Sequence, residues 1–303
     1  MNLTLRQLRL FIALADTGSV TEAARRMHVT QPTASDQLKE ISKTVGLPLY
    51  EVISRQVQLT DLGRDLAQTA KEMIESLERF EQLRDATKGL KRGRLRISAV
   101  STAKYFVPRI VGRFCERFPM IDVSLQILNR DGVIDRLSQN ADELYIMSMP
   151  PSDMALNDAV FMANDLVMIA PISDPICAMS KVTFEALEGK RFVLRENGSG
   201  TRMAVDRVFE MAGIRPNVRM ELGSNEAVKE AVIAGLGIGI VSRHALMQAT
   251  SDQGYQRVDM TGFPIPSSWH VVYPSQRILS PVAAAFRDEL LAMREQEHLD
   301  DAL

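Results

Sequence analysis

Two polar loops of the chain are suited to binding a small anion. Residues 101–104 read Ser-Thr-Ala-Lys between a strand-like and a helix-like run, so hydroxyls and N–H groups would meet at a helix start. Residues 195–202 read Arg-Glu-Asn-Gly-Ser-Gly-Thr-Arg in the same setting, with glycines for close backbone approach and arginine for a phosphate or carboxylate. Helix capping alone explains either loop, but two such loops favour a shared anionic ligand.

The predicted effector-binding residues lie in these two loops or at the ends of the neighbouring predicted strands and helices. They are Ser101, Thr102, Ala103, Lys104, Asn129, Met147, Ser148, Ser199, Gly200, Thr201, Arg202 and Asn225.

A second group of polar residues lies near the N-terminus, at the start of a predicted helix over 31–45. A short helix over 21–27 precedes it, and a three- or four-residue turn joins the two. Ser19 and Glu22 form a capping-box pattern for the first helix, Thr30 caps the second, and Pro32 fits its first turn. This pattern predicts a helix-turn-helix whose second helix enters the DNA major groove, although two packed helices with a solvated face would share it.

The predicted DNA-contacting residues are those at the start of the second helix and one on the wing that follows. Residues 49–53 and 56–59 read as two short strands about Ser54 and Arg55, so Arg55 would reach a phosphate or a narrow minor groove. The set is Thr30, Gln31, Pro32, Thr33, Ser35, Asp36, Gln37, Lys39 and Arg55.

These loops must be positioned by an α/β chain of about two domains, given 303 residues and roughly 150 residues per domain. We expect a winged helix-turn-helix over 1–60, a linker helix and hinge over 61–93, and a two-lobed domain over 94–303 whose second lobe spans about 166–265. A near-heptad apolar stripe on the linker helix predicts self-pairing into a dimer, with packing on its own domain as the alternative. In 94–303 a strand–helix–strand pattern occurs twice, which predicts a ligand cleft between two similar lobes.

The composition and motifs make several classes of protein unexpected. The chain is 46% hydrophobic and 24% charged, has a net charge of −2 and contains two cysteines, which is ordinary for a reduced cytoplasmic protein. It has no secretory signal or membrane-length apolar run, and its scattered histidines and cysteines predict no metal or cofactor. Ser199 lacks the first glycine of a nucleophile elbow, because position 197 is Asn. We therefore expect no enzyme activity, and a two-lobed enzyme or ligand-binding protein is the alternative class.

Several motifs in this order and spacing resemble the LysR-type transcriptional regulators. They are Leu5 to Phe11, Gly18-Ser19, Ala23-Ala24, Thr30-Gln31-Pro32 and Leu59 to Gly63. Three residues depart from the usual family pattern: Asp36 replaces a common arginine, Ser42 a usual glutamate and Val52 a frequent arginine. Because Asp36 would repel phosphate, either the operator preference differs or this side chain faces away from DNA.

Further motifs are similar to the CbbR subgroup, which activates Calvin-cycle (RuBisCO) operons. They are 102–108, Asn129-Arg130, 144–147, 195–202, 221–227 and 279–281. The resemblance implies a periplasmic-binding-protein-like effector domain, a phosphorylated or nucleotide effector, and a homodimer or homotetramer. It implies double-stranded DNA, a small anionic metabolite and RNA polymerase as partners, and activation of a carbon-fixation operon or, alternatively, control of another metabolic pathway.

Overall fold

The computed structural model describes residues 2–53, 56–86, 92–246 and 254–300. Contacts divide the chain into two compact units, Met1–Arg84 and Asp85–Leu303. The predicted wing turn at Ser54 and Arg55 and the predicted hinge glycine at 89 lie outside the described residues.

The first unit begins with three helices, each capped by a threonine or serine hydroxyl that accepts a backbone N–H from three residues further on. The helices are α1 (Leu5–Thr17), α2 (Val20–Arg26) and α3 (Gln31–Val45), and α1 and α3 each end at a left-handed glycine. Their apolar faces form one core, in which Ala23 and Ala24 of α2 are buried beside Leu38 of α3. Small side chains on α2 thus allow the helices to pack closely.

Two antiparallel strands and a long helix complete this unit. They are β1 (Tyr50–Ile53), β2 (Gln56–Leu59) and α4 (Asp61–Ala86). Gly63 in the first turn of α4 lies so close to Leu49 that an added Cβ would overlap the Leu49 carbonyl oxygen. Thr60 helps to fix this turn, because its Oγ1 donates to the Pro48 carbonyl and accepts from Gly63 N–H. A predicted winged helix-turn-helix is therefore observed, with a glycine at the junction of wing and linker helix.

The second unit contains two five-stranded sheets. The first has the order β4-β3-β5-β12-β6, and the second has the order β11-β7-β10-β8-β9. The first-sheet strands are β3 (Gly93–Val100), β4 (Ile121–Leu128), β5 (Leu144–Met147), β6 (Leu156–Ala163) and β12 (Ser268–Pro274). The second-sheet strands are β7 (Leu166–Pro171), β8 (Arg191–Arg195), β9 (Asn217–Leu222), β10 (Ile238–Ser242) and β11 (Tyr255–Arg257).

Each sheet is built around the same parallel unit. In the first, β3 lies between β4 and β5, and in the second, β8 lies between β9 and β10. The crossover helices are α5 (Val107–Arg117) and α6 (Arg130–Ser138) in the first lobe, and α7 (Gly200–Met211) and α8 (Asn225–Ile233) in the second. The final helix, α9 (Pro281–Asp300), packs on the first sheet through Val282, Phe286 and Leu290. The predicted α/β class and repeated strand–helix–strand pattern are confirmed.

The chain passes between the two sheets twice. It leaves β6 for β7 through Asn164 and returns from β11 to β12 through a segment that includes Ile265 and Ser267. The two crossing segments pair with each other: Asn164 N–H donates to the Ser267 carbonyl at 2.8 Å, and Leu166 and Ile265 exchange two backbone hydrogen bonds of 2.9 Å. Both connections between the lobes are therefore held side by side by backbone hydrogen bonds.

Replacing Gly63 with alanine should destabilise the first unit by about 2–3 kcal/mol, because the added methyl group has no room beside the Leu49 carbonyl. The matched control is Gly112→Ala in α5, where an added Cβ meets no atom within 4 Å. That change should be neutral or stabilising by about 0.5–1 kcal/mol, since alanine loses less backbone entropy than glycine in a helix. Urea unfolding of the full chain, followed by circular dichroism, measures both. Equal stability of the two variants would contradict the close approach.

Candidate DNA-binding helix and effector cleft

Helix α3 presents a polar face to solvent. Its buried residues Ala34, Leu38 and Ile41 fix the inward face. Most of the predicted DNA-contacting residues are exposed, namely Thr30, Gln31, Pro32, Thr33, Asp36 and Lys39, while Ser35 and Gln37 are half-buried. This arrangement leaves an open helix face of the size and polarity that a major groove accepts.

Two of these residues need separate comment. The Thr30 side chain caps α3, accepting the Thr33 N–H at 3.4 Å and lying 2.8 Å from the Thr33 hydroxyl, so it already has a structural role. Asp36 is exposed, about one and a half turns from the helix start and opposite the buried face. Arg55 lies outside the described residues.

The cleft of the second unit is formed where the carboxyl ends of β3 and β8 face each other. Residues Ser101–Tyr105 form a 3₁₀ turn directly after β3, and Arg195 is the last residue of β8. The Arg195 guanidinium is only 3% exposed, and it donates to Thr102 Oγ1 at 3.3 Å and to Ser101 Oγ at 3.4 Å. Its Nε and Nη2 also donate to the Glu196 carboxylate, at 2.7 and 2.8 Å. A buried cation therefore joins the lobes at the predicted anion loop.

Asn225, at the start of α8, makes a second polar contact between the lobes. Its Nδ2 donates to Thr102 Oγ1 at 3.0 Å, and both residues are buried. Its Oδ1 is also buried but has no hydrogen-bond partner within the described part of the chain. Since a buried acceptor without a donor is costly, this oxygen is suited to a donor from a ligand or water.

A third contact lies at the rim of the cleft. Lys104 Nζ, from the first lobe, lies 2.8 Å from Glu226 Oε2, from the second. Burial, and then the neighbouring Glu226 carboxylate, raise the pKa of the Tyr105 hydroxyl, so this side chain stays neutral near pH 7.

The lobes also approach closely where α7 begins. A Cβ added to Gly200 would lie 2.5 Å from Ser148 Oγ and 3.0 Å from the Ser148 carbonyl oxygen, so only glycine fits there. Ser148 follows β5 in the first lobe, and Gly200 is the first residue of α7 in the second. The backbone at the α7 N-terminus therefore faces the cleft directly.

The remaining predicted effector residues divide by environment. Asn129 and Ser199 cap α6 and α7, accepting the backbone N–H of Gly132 and Arg202 respectively. Buried members of the set are Ala103, Met147 and Thr201. The Arg202 guanidinium donates to the carboxylates of Asp206 and Glu221 and to the Arg195 carbonyl.

Sequence reasoning did not select Arg195, Glu196 or Glu226 as site residues. Arg195 ends a strand whose preceding three residues, Phe-Val-Leu, are fully apolar, and a glycine-containing loop follows. An arginine at the carboxyl end of a buried parallel strand was the available signal, since ligands of such sheets bind at that edge.

Family comparison identifies both units. Residues 5–64 match the bacterial regulatory helix-turn-helix protein, lysR family, and residues 88–294 match the LysR substrate binding domain. The chain belongs to the LysR family of transcriptional regulators. This LysR-type regulator is therefore a DNA-binding protein of the class that its sequence motifs predict.

Similar proteins and solved structures support this family assignment. The activator CmpR of Synechocystis sp. is 41% identical over 97% of both chains, and a RuBisCO operon transcriptional regulator of Allochromatium vinosum is 37% identical over 98% of this chain and 99% of its own. The regulatory domain of Synechocystis CcmR, solved in complex with 2-PG, is 39% identical with a TM-score of 0.65, covering 67% of this chain and 98% of that one. Full-length CbnR in complex with its target DNA shares the fold, with 21% identity, a TM-score of 0.68, and coverage of 96% and 100%.

The residues that the structure describes contain neither a metal-binding cluster nor a membrane-spanning helix. No group of three or more histidine, cysteine, aspartate or glutamate side chains is placed to hold a metal ion within those residues. No helix there is long and apolar enough to cross a membrane.

Proposed function

We propose that this regulator acts in the cytoplasm as an activator of a carbon-fixation (RuBisCO) operon, without catalytic activity of its own. In this proposal it responds to a small phosphorylated carboxylate, of which 2-phosphoglycolate is the first candidate. The ligand binds between the lobes, beside Arg195, Thr102 and Asn225.

The observation that carries the proposal is the buried Arg195 in the cleft of a domain 39% identical to one solved with 2-PG. A guanidinium in a largely buried site suits a phosphate or carboxylate, because charge-assisted hydrogen bonds are strongest away from water. The unpartnered Asn225 Oδ1 is an acceptor that an ordered water beside the bound anion would satisfy. The relatives named as RuBisCO operon regulators support the choice of operon.

Signalling requires that the cleft influence how the DNA is held. A ligand that binds the two lobes together favours the closed arrangement, since it contacts both only in that state. In a dimer or tetramer, lobe closure then changes the angle between subunits and so the bend or spacing of the bound DNA. Helix α3 reads each half-site through Gln31, Thr33 and Lys39, and RNA polymerase is the further partner that responds.

Selection of fragments from sheared genomic DNA of the source organism should enrich one promoter region beside RuBisCO genes. Gln31→Ala should lose this enrichment, because Gln31 is exposed at the start of the recognition helix. Gln68→Ala on α4 is the matched control and should retain it. Sequencing of retained fragments is the measurement. Enrichment beside another metabolic operon would redirect the pathway, and no enrichment at low salt would contradict a DNA-binding role.

Arg195→Met should weaken binding of 2-phosphoglycolate at least tenfold, because it removes a charge-assisted bond in a buried site worth about 1.5–3 kcal/mol. Arg202→Met is the comparison, since both arginines lie in the predicted anion loop and both are paired with carboxylates, but Arg195 also donates to Ser101 and Thr102 across the cleft. The described bonds of the Arg202 guanidinium stay within the second lobe. We expect a smaller loss for Arg202→Met. Isothermal titration of the full chain measures both, and thermal unfolding checks that each variant is folded. A larger loss for Arg202→Met would transfer the anion contact to that residue.

Helix α4 is proposed as the dimerisation element. Its side chains Leu62, Met73 and Phe80 lie on one face and are exposed, Phe80 by 64%. Phe80→Asp should shift the chain towards a smaller oligomer, because it places a charge in an apolar seam. Gln68→Asp introduces the same residue on the polar face and should leave the assembly unchanged. Sedimentation equilibrium decides between them, and an unaltered mass for Phe80→Asp would exclude this seam.

A further inference from the structure

The Lys104–Glu226 pair joins the two lobes at the edge of the effector cleft. Lys104 belongs to the turn after β3, Glu226 to the first turn of α8, and their charged atoms lie 2.8 Å apart. The side chains are 36% and 40% exposed, so solvent and ligands reach this pair more readily than the buried Arg195. The residue before Glu226 is Asn225, whose side chain contacts Thr102.

Glu226 is a carboxylate in a position that favours negative charge. It lies in the first turn of a nine-residue helix, where the helix dipole stabilises an anion, and it faces an ammonium group. Burial alone would raise the pKa of the Glu226 carboxyl, but the Lys104 ammonium and the Tyr105 hydroxyl hold it below its ordinary value. At neutral pH this cleft therefore contains an ionised carboxylate of its own.

The two cations that join the lobes are both paired with carboxylates of the second lobe. Arg195 is paired with Glu196 through two hydrogen bonds at a buried position. Lys104 is paired with Glu226 through one hydrogen bond, at a half-exposed position. An exposed ion pair contributes little to stability, so the Lys104–Glu226 pair is the one that an incoming anion displaces more easily.

We propose that Glu226 is an internal counter-anion. It pairs with Lys104 when no effector is bound and competes with the effector for this lysine. Glu226 thereby sets the anion concentration at which the regulator responds. This inference rests on the proposed function, because it requires an anionic effector in the same cleft.

The two partners of this ion pair distinguish competition from a simple structural contact. If Glu226 competes with the effector, Glu226→Gln frees Lys104 and removes a like charge, so binding becomes tighter. Lys104→Gln removes the cation itself, so binding becomes weaker. If the pair only holds the lobes together, both substitutions break the same bond and shift affinity in the same direction.

The test is isothermal titration of the full chain with 2-phosphoglycolate and, separately, with inorganic phosphate. We expect Glu226→Gln to bind 2-phosphoglycolate about three- to tenfold more tightly, the effect of one unit charge several ångströms away near a protein surface. Lys104→Gln should bind it more weakly by a similar factor. Glu230→Gln, which removes the same charge one turn further along α8, should match the wild type within about twofold. Glu226→Asp keeps the charge on a shorter side chain and should fall between the wild type and Glu226→Gln.

Each other outcome overturns the inference in a recognisable way. Equal weakening by Glu226→Gln and Lys104→Gln would make the pair a structural contact, and no change in either would place the effector elsewhere. Tight wild-type binding in both of these cases would leave the proposed effector intact. If neither the wild type nor Glu226→Gln bound 2-phosphoglycolate, the effector proposal itself would fail, and this inference with it.

Discussion

The pairing of the two crossing segments is the constraint on which the effector domain depends. Because Asn164 N–H bonds to the Ser267 carbonyl and Leu166 pairs with Ile265, the two connections between the lobes are held side by side. Asn164 Oδ1 also accepts a hydrogen bond from the Ser242 hydroxyl at 2.7 Å, which ties the end of β10 to the same connection. The carboxyl ends of β3 and β8 meet where the Arg195 guanidinium donates to Thr102.

The polar contacts across the cleft differ in kind from the apolar packing within each lobe, and Tyr105 of the first lobe also packs on an apolar cluster of the second. Each sheet is covered by large apolar clusters, with Trp269 and Phe286 in the first lobe and Phe192 and Phe209 in the second. Among the described hydrogen bonds across the cleft, the neutral bond from Asn225 to Thr102 contributes about 0.5–1.5 kcal/mol, and the charge-assisted bond from Arg195 to Thr102 contributes about 1.5–3 kcal/mol. Because Gly200 has no side chain, the start of α7 approaches Ser148 of the other lobe directly.

Local patterns in the sequence were sufficient to predict most of the helices and strands, but not which strands distant in the sequence pair with each other. Caps and glycines predicted the helices of the first unit, and the repeated strand–helix–strand pattern predicted the parallel core of each lobe. Helix α6 begins at Arg130 because the Asn129 side chain caps it. The antiparallel strands β6 and β12 were not predicted, since they pair across more than 100 residues of chain. The preference for Arg202 over Arg195 arose likewise, because Glu221 of β9 reaches the Arg202 guanidinium only in the folded lobe.

The polar, weakly charged face of α3 indicates that specific DNA binding requires two subunits. Around the start of α3 the exposed charged residues Asp36 and Lys39 oppose each other in sign, and the whole chain has a net charge of −2. Asp36 offsets the attraction of Lys39 to phosphate, and hydrogen bonds from groups such as Gln31 and Thr33 must discriminate between bases. A single such helix binds weakly, whereas two helices held at a fixed spacing convert the second contact into an intramolecular one. In the proposed signalling, DNA affinity therefore depends on the spacing between the two helices, which the bound effector alters.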